Sequence, residues 1–229
     1  GGNRVVYSDD FGQTWQVLGG LSARPAPGGD EPKCEELPDG SVLLSSRMYG
    51  GRYFNVFTYS DAPAAEGSWG NVVASNRQEG GITVVNNTTN GEILLIPAVR
   101  NADGKKMYLA LQSIPFGSGR ANVGLWYKGI DTFGDYATPA GFAAGWEGSY
   151  QVSFTGSCYS TMVMQADGKL AFVYEEATYP GNHGGYTIIY TPLAIETVTG
   201  GAYTFDTSVD RWDFVSGGID EKLNSLIST

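Results

Sequence analysis

The chain has 229 residues, 33 of them glycine, which is about twice the average share of that residue. Acidic residues outnumber basic ones 24 to 14, for a formal net charge of −10. This charge argues against nucleic acid and anionic membrane surfaces as partners, because both need a basic face. Hydrophobic residues make up 41% of the chain, enough to bury a core and to exclude a disordered protein. The longest apolar runs are far shorter than the ~20 residues of a membrane span.

Short strands dominate the sequence pattern. Runs rich in Val, Ile, Tyr and Phe alternate with clusters of Gly, Asn, Asp and Pro, as is typical of strands joined by tight turns. The predicted strands are, in chain order, 4–8, 13–18, 41–47, 53–60, 92–99, 107–113, 121–128, 159–164, 169–175 and 186–191. Apolar residues at helical spacing occur only in the tail, at 219–227, which we expect to dock on the outside of an otherwise all-β fold.

A hairpin pattern recurs along the chain. Asp-Gly or Asn-Gly stands between two apolar segments at 39–40, 90–91 and 167–168, with a weaker copy at 103–104. These dipeptides suit tight hairpin turns because they tolerate positive φ. Recurring hairpins in an all-β chain favour a β-propeller, and at about 45 residues per blade the chain is long enough for about five blades. On the turn pattern alone, a β-sandwich with ordinary hairpins is the alternative.

The repeat relates two polar residues that are far apart in the sequence. Glu31 and Tyr159 lie at equal distances before Gly40 and Gly168, whereas the middle copy has Ile82 at this position. If the hairpins are equivalent, both residues begin the innermost strand of a blade, and inner strands converge on the axis of a propeller. A carboxylate and a phenol are therefore expected to meet there, although the fold itself does not require a polar pair.

A turn motif lies near the start of the chain. Ser8, Asp10, Gly12, Thr14 and Trp15 follow the order Ser-x-Asp-x-Gly-x-Thr-Trp. Asp10 can accept backbone N–H bonds, Gly12 permits tight geometry, and Trp15 is expected to be buried beneath the turn. The motif resembles the Asp-box of sialidase-type propellers, which also occurs in unrelated propellers and is structural. We therefore expect it to lie away from any active site.

Three further segments, 28–47, 113–122 and 157–175, are similar in the same order to segments of bacterial exo-α-sialidases (neuraminidases) of the Asp-box family. The resemblance covers residues 1 to about 205, and it implies a six-bladed β-propeller of which about four to five blades lie in this chain. The remaining residues, 206–229, would then form a C-terminal tail with a short helix docked on the propeller.

The resemblance implies roles for four residues. Tyr159 matches the family's nucleophile, Glu31 the glutamate that assists it, and Arg47 and Arg120 two members of an arginine triad that binds the substrate carboxylate. The chemistry agrees with these roles. A neutral phenol avoids the repulsion between an anionic nucleophile and the carboxylate on the anomeric carbon of sialic acid. A phenol needs a base beside it, and planar guanidinium groups bind carboxylates bidentately.

The other reactive side chains are given structural roles. His183, the only histidine, lies in a glycine-rich stretch and is expected in a loop, and Glu175 is a candidate to hold one of the arginines. Cys34 and Cys158 are too few for a disulfide scaffold or a structural zinc site. We expect both to be buried free thiols, with a disulfide between them as the alternative. Neither a metal nor a cofactor is expected.

The function that the resemblance implies is a retaining hydrolase releasing terminal sialic acid from sialic-acid-containing glycans, in a secreted or periplasmic bacterial protein. The family's first triad arginine and its acid/base aspartate precede the first Asp-box. We therefore expect an N-terminal fragment of the same protein to complete the propeller. A trans-sialidase and a non-catalytic propeller fragment that only binds sialic acid are the alternatives.

Overall fold

The computed structural model describes residues 2–60, 66–177 and 185–208. Strands make up 49% of the structure and helices 8%, which confirms the all-β class. The strands are β1 (Val6–Tyr7), β2 (Gln16–Val17), β3 (Asp30–Glu36), β4 (Val42–Met48), β5 (Gly51–Tyr59), β6 (Gly67–Trp69), β7 (Val73–Ala74), β8 (Ile93–Arg100), β9 (Lys105–Gly117), β10 (Ala121–Ile130), β11 (Gly148–Gln151), β12 (Ser157–Met164), β13 (Leu170–Glu176), β14 (Thr187–Leu193) and β15 (Tyr203–Phe205). The α-helices are α1 (Pro139–Ala143) and α2 (Ile195–Val198), and short 3-10 helices cover Ser75–Arg77 and Phe133–Asp135.

Antiparallel pairing organises the strands into a two-stranded ribbon and three larger sheets. The ribbon pairs β1 with β2, and the first large sheet has the order β3-β4-β5-β6, with β7 also paired to β5. The second sheet has the order β11-β10-β9-β8-β15, and the third has the order β12-β13-β14. Most neighbours in a sheet are also neighbours in the sequence, because short turns join them, whereas β15 returns from the end of the described chain to pair with β8.

The predicted hairpins are observed in three of four places. Gly40, Gly104 and Gly168 have φ values of 81°, 70° and 79°, and they stand in the turns from β3 to β4, β8 to β9 and β12 to β13. The hairpin predicted at 90–91 is wrong, because no strand directly precedes it. Gly91 does not have positive φ; it is required because a Cβ there would collide with the carbonyl oxygen of Ser113.

The second sheet is buried on both faces, which explains its continuous apolar strands. In β8, Leu94 and Ile96 pack in one core cluster with residues of the third sheet, such as Phe172. The alternate residues Ile93 and Leu95 pack in a second cluster with residues of the first sheet. Because successive side chains of a strand point to opposite faces, the sheets stack in the order first, second, third.

The third sheet is covered on only one face within the described residues. Met162 and Phe172 point into the core, whereas the alternating positions on the other face are open to solvent. Val163, Ile188 and Tyr190 are 48%, 64% and 54% exposed. Large apolar side chains in such a group mark a contact surface.

The motif that resembles an Asp-box forms the turn between β1 and β2. Ser8 Oγ accepts the Gly12 N–H at 2.7 Å, and the Asp10 carboxylate accepts the Thr14 N–H at 2.8 Å and the Thr14 hydroxyl at 2.7 Å. The bond from the Thr14 N–H, followed by those from the hydroxyls of Thr14 and Ser8, lowers the pKa of Asp10 to about 2. The predicted burial of Trp15 is wrong. Its side chain is 62% exposed and its Nε1 donates to Gly12 O at 3.2 Å, because the ring lies across the protruding turn.

The two cysteines are free thiols, so the disulfide alternative is excluded. Cys158 is buried as predicted, whereas Cys34 lies exposed on β3. His183 and the helix predicted at 219–227 lie outside the described residues. Within the described ranges, no helix has the length and apolar character needed to cross a membrane.

Candidate active site

The four site residues named from the sequence lie together. Tyr159 Oη donates to Glu31 Oε1 at 2.9 Å, across 128 positions of sequence. Arg47 Nη1 donates to Glu31 Oε2 at 2.9 Å and lies 3.4 Å from the Tyr159 hydroxyl. The guanidinium carbon of Arg120 is 5.3 Å from the centroid of the Tyr159 ring. The predicted meeting of a phenol and a carboxylate is therefore observed, with two guanidinium groups beside it.

A β-bulge in β3 presents Glu31. The strand pairs with β4 at Asp30 and Lys33, and the register shifts between these two residues. Bulges re-aim a side chain and are common next to active sites. Glu31 has a φ of 43°, a left-handed conformation that is costly for a residue with a Cβ. Two hydrogen bonds hold it there, since Asp30 Oδ1 accepts the Glu31 N–H at 2.9 Å and Ser46 Oγ donates to Asp30 O at 2.9 Å.

A second bulge, in β12, presents Tyr159. The register to β13 shifts between Ser157 and Ser160, and Tyr159 lies within that stretch. On one side, Ser160 Oγ forms a buried 2.9 Å hydrogen bond with the hydroxyl of Ser113. On the other side, Cys158 Sγ donates to Glu175 Oε2 at 2.8 Å. Glu175, the candidate to hold an arginine of the triad, accepts the Cys158 thiol on one carboxylate oxygen, and no hydrogen bond to Arg47 or Arg120 is present among the described residues.

Arg120 lies in the tight turn between β9 and β10. Gly119 and Arg120 have φ values of 67° and 64°, so a conformation that favours glycine or asparagine is imposed on an arginine. Its carbonyl accepts the Ser157 N–H at 3.0 Å, which ties the turn to the start of β12. Within residues 2–60, 66–177 and 185–208, the half-buried guanidinium has no hydrogen-bond acceptor or carboxylate partner. Its N–H donors are therefore not taken up by the described residues, and the guanidinium lies over the Tyr159 ring.

The guanidinium of Arg47 is engaged on two of its three nitrogens. Nε donates to Thr88 Oγ1 at 3.0 Å and Nη1 donates to Glu31 at 2.9 Å, whereas Nη2 has no acceptor among the described side chains and backbone. Burial acts to lower the pKa of Arg47, but the hydrogen bond and charge of Glu31, together with Tyr159, outweigh it and raise the pKa. The group therefore stays cationic, and Nη2 is available to an anion.

Thr88 and Arg52 adjoin this cluster and were not found from the sequence. Thr88 belongs to the stretch misread as a hairpin, and Arg52 is fully buried in β5, directly opposite Arg47 of β4. Neither residue carried a signal in the sequence, because Thr88 is an ordinary loop threonine by type and a charged residue such as Arg52 is usually exposed.

A second polar region lies at the other ends of β8 and β10, around Arg100, Lys128 and Glu147. Its charges are engaged with each other or with the backbone. Arg100 bonds Asp103 and Asp131 at 3.0 and 2.9 Å, and Lys128 Nζ donates to backbone carbonyls at 2.6–3.4 Å. This region is therefore a weaker candidate than the Tyr159 cluster, where guanidinium donors remain open.

The arrangement can bind an anion and move a proton. The donors of Arg47 Nη2 and Arg120 suit a carboxylate, and the bond from Tyr159 to Glu31 provides a path for the phenolic proton. Within the described ranges, no group of three or more His, Cys, Asp or Glu residues is placed to hold a metal ion.

No protein-family model matches the chain, and no curated protein matches it significantly.

Proposed function

We propose that the chain is a large part of a retaining exo-α-sialidase that releases terminal sialic acid from glycans. The observation that carries the proposal is the 2.9 Å hydrogen bond from Tyr159 to Glu31, flanked by the guanidinium groups of Arg47 and Arg120. The sequence resemblance supports the same four residues in the same roles, and it supports a secreted or periplasmic location.

In the proposed first step, Tyr159 Oη attacks the anomeric carbon while its proton passes to Glu31 Oε1. The bond from that carbon to the leaving oxygen breaks, and an acid from outside the described residues protonates the leaving group. In the second step, water attacks the anomeric carbon and loses a proton to that acid's conjugate base. The phenolate leaves and takes back its proton from Glu31. Two displacements give retention of configuration.

The types of residue fit an anionic substrate. The anomeric carbon of sialic acid carries a carboxylate, which repels an anionic nucleophile strongly in a partly dry site. The phenol of Tyr159 is neutral before attack. The open donors of Arg47 and Arg120 would hold the carboxylate, and they would do so despite the net charge of −10, because charges further than about 8 Å away are screened at physiological salt.

A propeller is the architecture we propose for the stacked sheets. The strands β3 and β12 each contact β8, as expected if these three lie nearest the axis in consecutive blades, with the short β15 pairing only with the last residues of β8. The exposed apolar face of the third sheet, which carries Val163, Ile188 and Tyr190, supports a further contact there. We propose that an N-terminal fragment of the same protein covers it and completes the ring.

The test measures sialic acid release from sialyllactose and from an aryl α-sialoside. The aryl group needs little acid assistance, so the aryl substrate tests Tyr159 and Glu31 even where the acid is missing. We expect the protein to hydrolyse the aryl α-sialoside with retention. The first product that NMR detects should then be the α anomer of sialic acid. The Tyr159→Phe variant should lose about 10³-fold in kcat, whereas Tyr190→Phe, which removes a hydroxyl from the third sheet, should keep it.

Three outcomes would replace the proposal. Binding of sialic acid without release indicates the non-catalytic alternative, and transfer to added lactose in preference to water indicates a trans-sialidase. Full turnover by the Tyr159→Phe variant shows that the nucleophile is misassigned.

A further inference from the structure

Residues 87–90, which we call the 87–90 connector, lie shortly before β8 and link the candidate site to all three sheets. Asn87 is buried, and its Nδ2 donates to Gly117 O at the end of β9 at 2.7 Å. At the other end of the connector, Asn90 Oδ1 accepts the Ser160 N–H of β12 at 3.2 Å. The connector is therefore fixed to the second and third sheets.

The two central residues of the connector accept hydrogen bonds from arginines of the first sheet. Arg47 Nε donates to Thr88 Oγ1 at 3.0 Å, and Arg52 Nη1 donates to Thr89 O at 3.0 Å. Arg47 and Arg52 face each other across β4 and β5. Neighbouring residues of the connector are thus held by neighbouring arginines.

Arg52 is an unusual residue to bury. It is fully buried, its Nε donates to Ser45 Oγ at 3.0 Å, and its Nη2 has no hydrogen-bond partner. Burial lowers the pKa of Arg52 to about 9, while the charges of Glu31 and Glu92 oppose this effect. The group is therefore cationic at neutral pH. A buried ion with incomplete pairing adds little stability. We therefore look for the role of Arg52 in the residues that its hydrogen bonds position.

We propose that Arg52 is a positioning residue that orients the guanidinium of Arg47 through the 87–90 connector. By holding Thr89, Arg52 fixes the hydroxyl of Thr88, which engages Arg47 Nε. With Nε and Nη1 both held, the guanidinium plane cannot rotate, and Nη2 points where a substrate carboxylate would bind. This inference rests on the proposed function of Arg47 as a carboxylate ligand.

The test uses variants that break each link and measures KM and kcat for an aryl α-sialoside. Thr88→Val removes the acceptor of Arg47 Nε and is nearly isosteric. We expect KM to rise about tenfold, the loss typical of one hydrogen bond to a charged group, with kcat within about twofold, because the carboxylate is bound equally before and during reaction. Thr88→Ser should restore KM, and the exposed Thr83→Val should match the wild type.

A second set of variants tests whether Arg52 acts on Arg47 through the 87–90 connector. Arg52→Met should raise KM in the same way, and the double variant with Thr88→Val should show no further rise, because both changes break one chain of contacts. Multiplied effects in the double variant, or an unchanged KM in Thr88→Val, would overturn the proposal. If Arg52→Met does not fold, Arg52→Lys takes its place in the same comparison, because an ammonium group does not reproduce the planar fork of donors that joins Ser45 and Thr89.

Failure of this inference is distinct from failure of the proposed function. Wild-type turnover tests the proposed function by itself. A wild type that turns over, with the same KM in Thr88→Val, removes only the positioning role. If the wild type binds sialic acid without turnover, the dissociation constant replaces KM in the same comparison, with the same expected ratios.

Discussion

Backbone strain at Arg120 predicts which of two variants, Arg120→Gly or Arg120→Ala, has the higher free energy of unfolding. Arg120 has a φ of 64°, and the left-handed conformation costs a residue with a Cβ about 1–2 kcal/mol. Glycine avoids this cost, but it makes the unfolded chain more flexible, which lowers the free energy of unfolding by about 0.4–1 kcal/mol. From the midpoints of these two ranges, the free energy of unfolding of Arg120→Gly should exceed that of Arg120→Ala by about 0.8 kcal/mol. Both variants lose the contact with the Tyr159 ring, so the comparison isolates the strain.

The assay is urea unfolding followed by tryptophan fluorescence, with Lys105→Gly and Lys105→Ala as the control pair. Lys105 lies at the start of β9 without positive φ, so there the glycine variant should be the less stable by about 0.5–1 kcal/mol. An Arg120→Gly variant that is equal to or less stable than Arg120→Ala would refute the reasoning. Under the proposed function both Arg120 variants also bind substrate weakly, because the guanidinium that would hold the carboxylate is gone.

Three further predictions concern the turn, the core and the site. The pKa of Asp10 is lowered to about 2 from 3.8, so the stability that its hydrogen bonds add is complete above about pH 4 and is lost as pH falls through about 2. Asp10→Asn should therefore lose this acid dependence when thermal unfolding is followed from about pH 5 to about pH 2. A profile unchanged from that of the wild type would contradict the prediction. Phe54 is fully buried, so Phe54→Ala should cost about 3–5 kcal/mol of unfolding free energy, and a loss below about 1 kcal/mol in urea unfolding would show that the core is misassigned. Glu31→Gln should lower kcat by about 10²- to 10⁴-fold while the unfolding midpoint is kept; full activity would exclude Glu31 as the proton acceptor.

Hairpin chemistry was the part of the fold most accessible from the sequence. Gly40 and Gly168 stand in real hairpins, and their equivalence placed Glu31 and Tyr159 on matching strands before any contact was known. The 90–91 position failed because Asn-Gly tolerates a turn without specifying the strands around it, and Gly91 serves instead to admit the carbonyl of Ser113. Local sequence does not distinguish these two uses of glycine.

The missed features depend on tertiary contacts. The strand β3 reads Asp-Glu-Pro-Lys-Cys-Glu-Glu, which has no apolar alternation, and it forms because it pairs with β4. Arg52 resembles a surface residue by type, and only the stacking of the sheets buries it. The burial predicted for Trp15 assumed a neighbour that the described residues do not supply. The bulges that present Glu31 and Tyr159 arise from register shifts between strands, which a single strand's sequence does not encode.

The most direct test of the central claim is to identify the atom that is glycosylated. A sialosyl fluoride carrying a second fluorine beside the anomeric centre needs little acid assistance to react, and the second fluorine slows hydrolysis of the covalent intermediate. After digestion, mass spectrometry should find one added sialosyl unit on the peptide that contains Tyr159. The adduct should be absent from Tyr159→Phe and present in Tyr190→Phe. An adduct on Glu31, or none in a protein that releases sialic acid, would contradict the account.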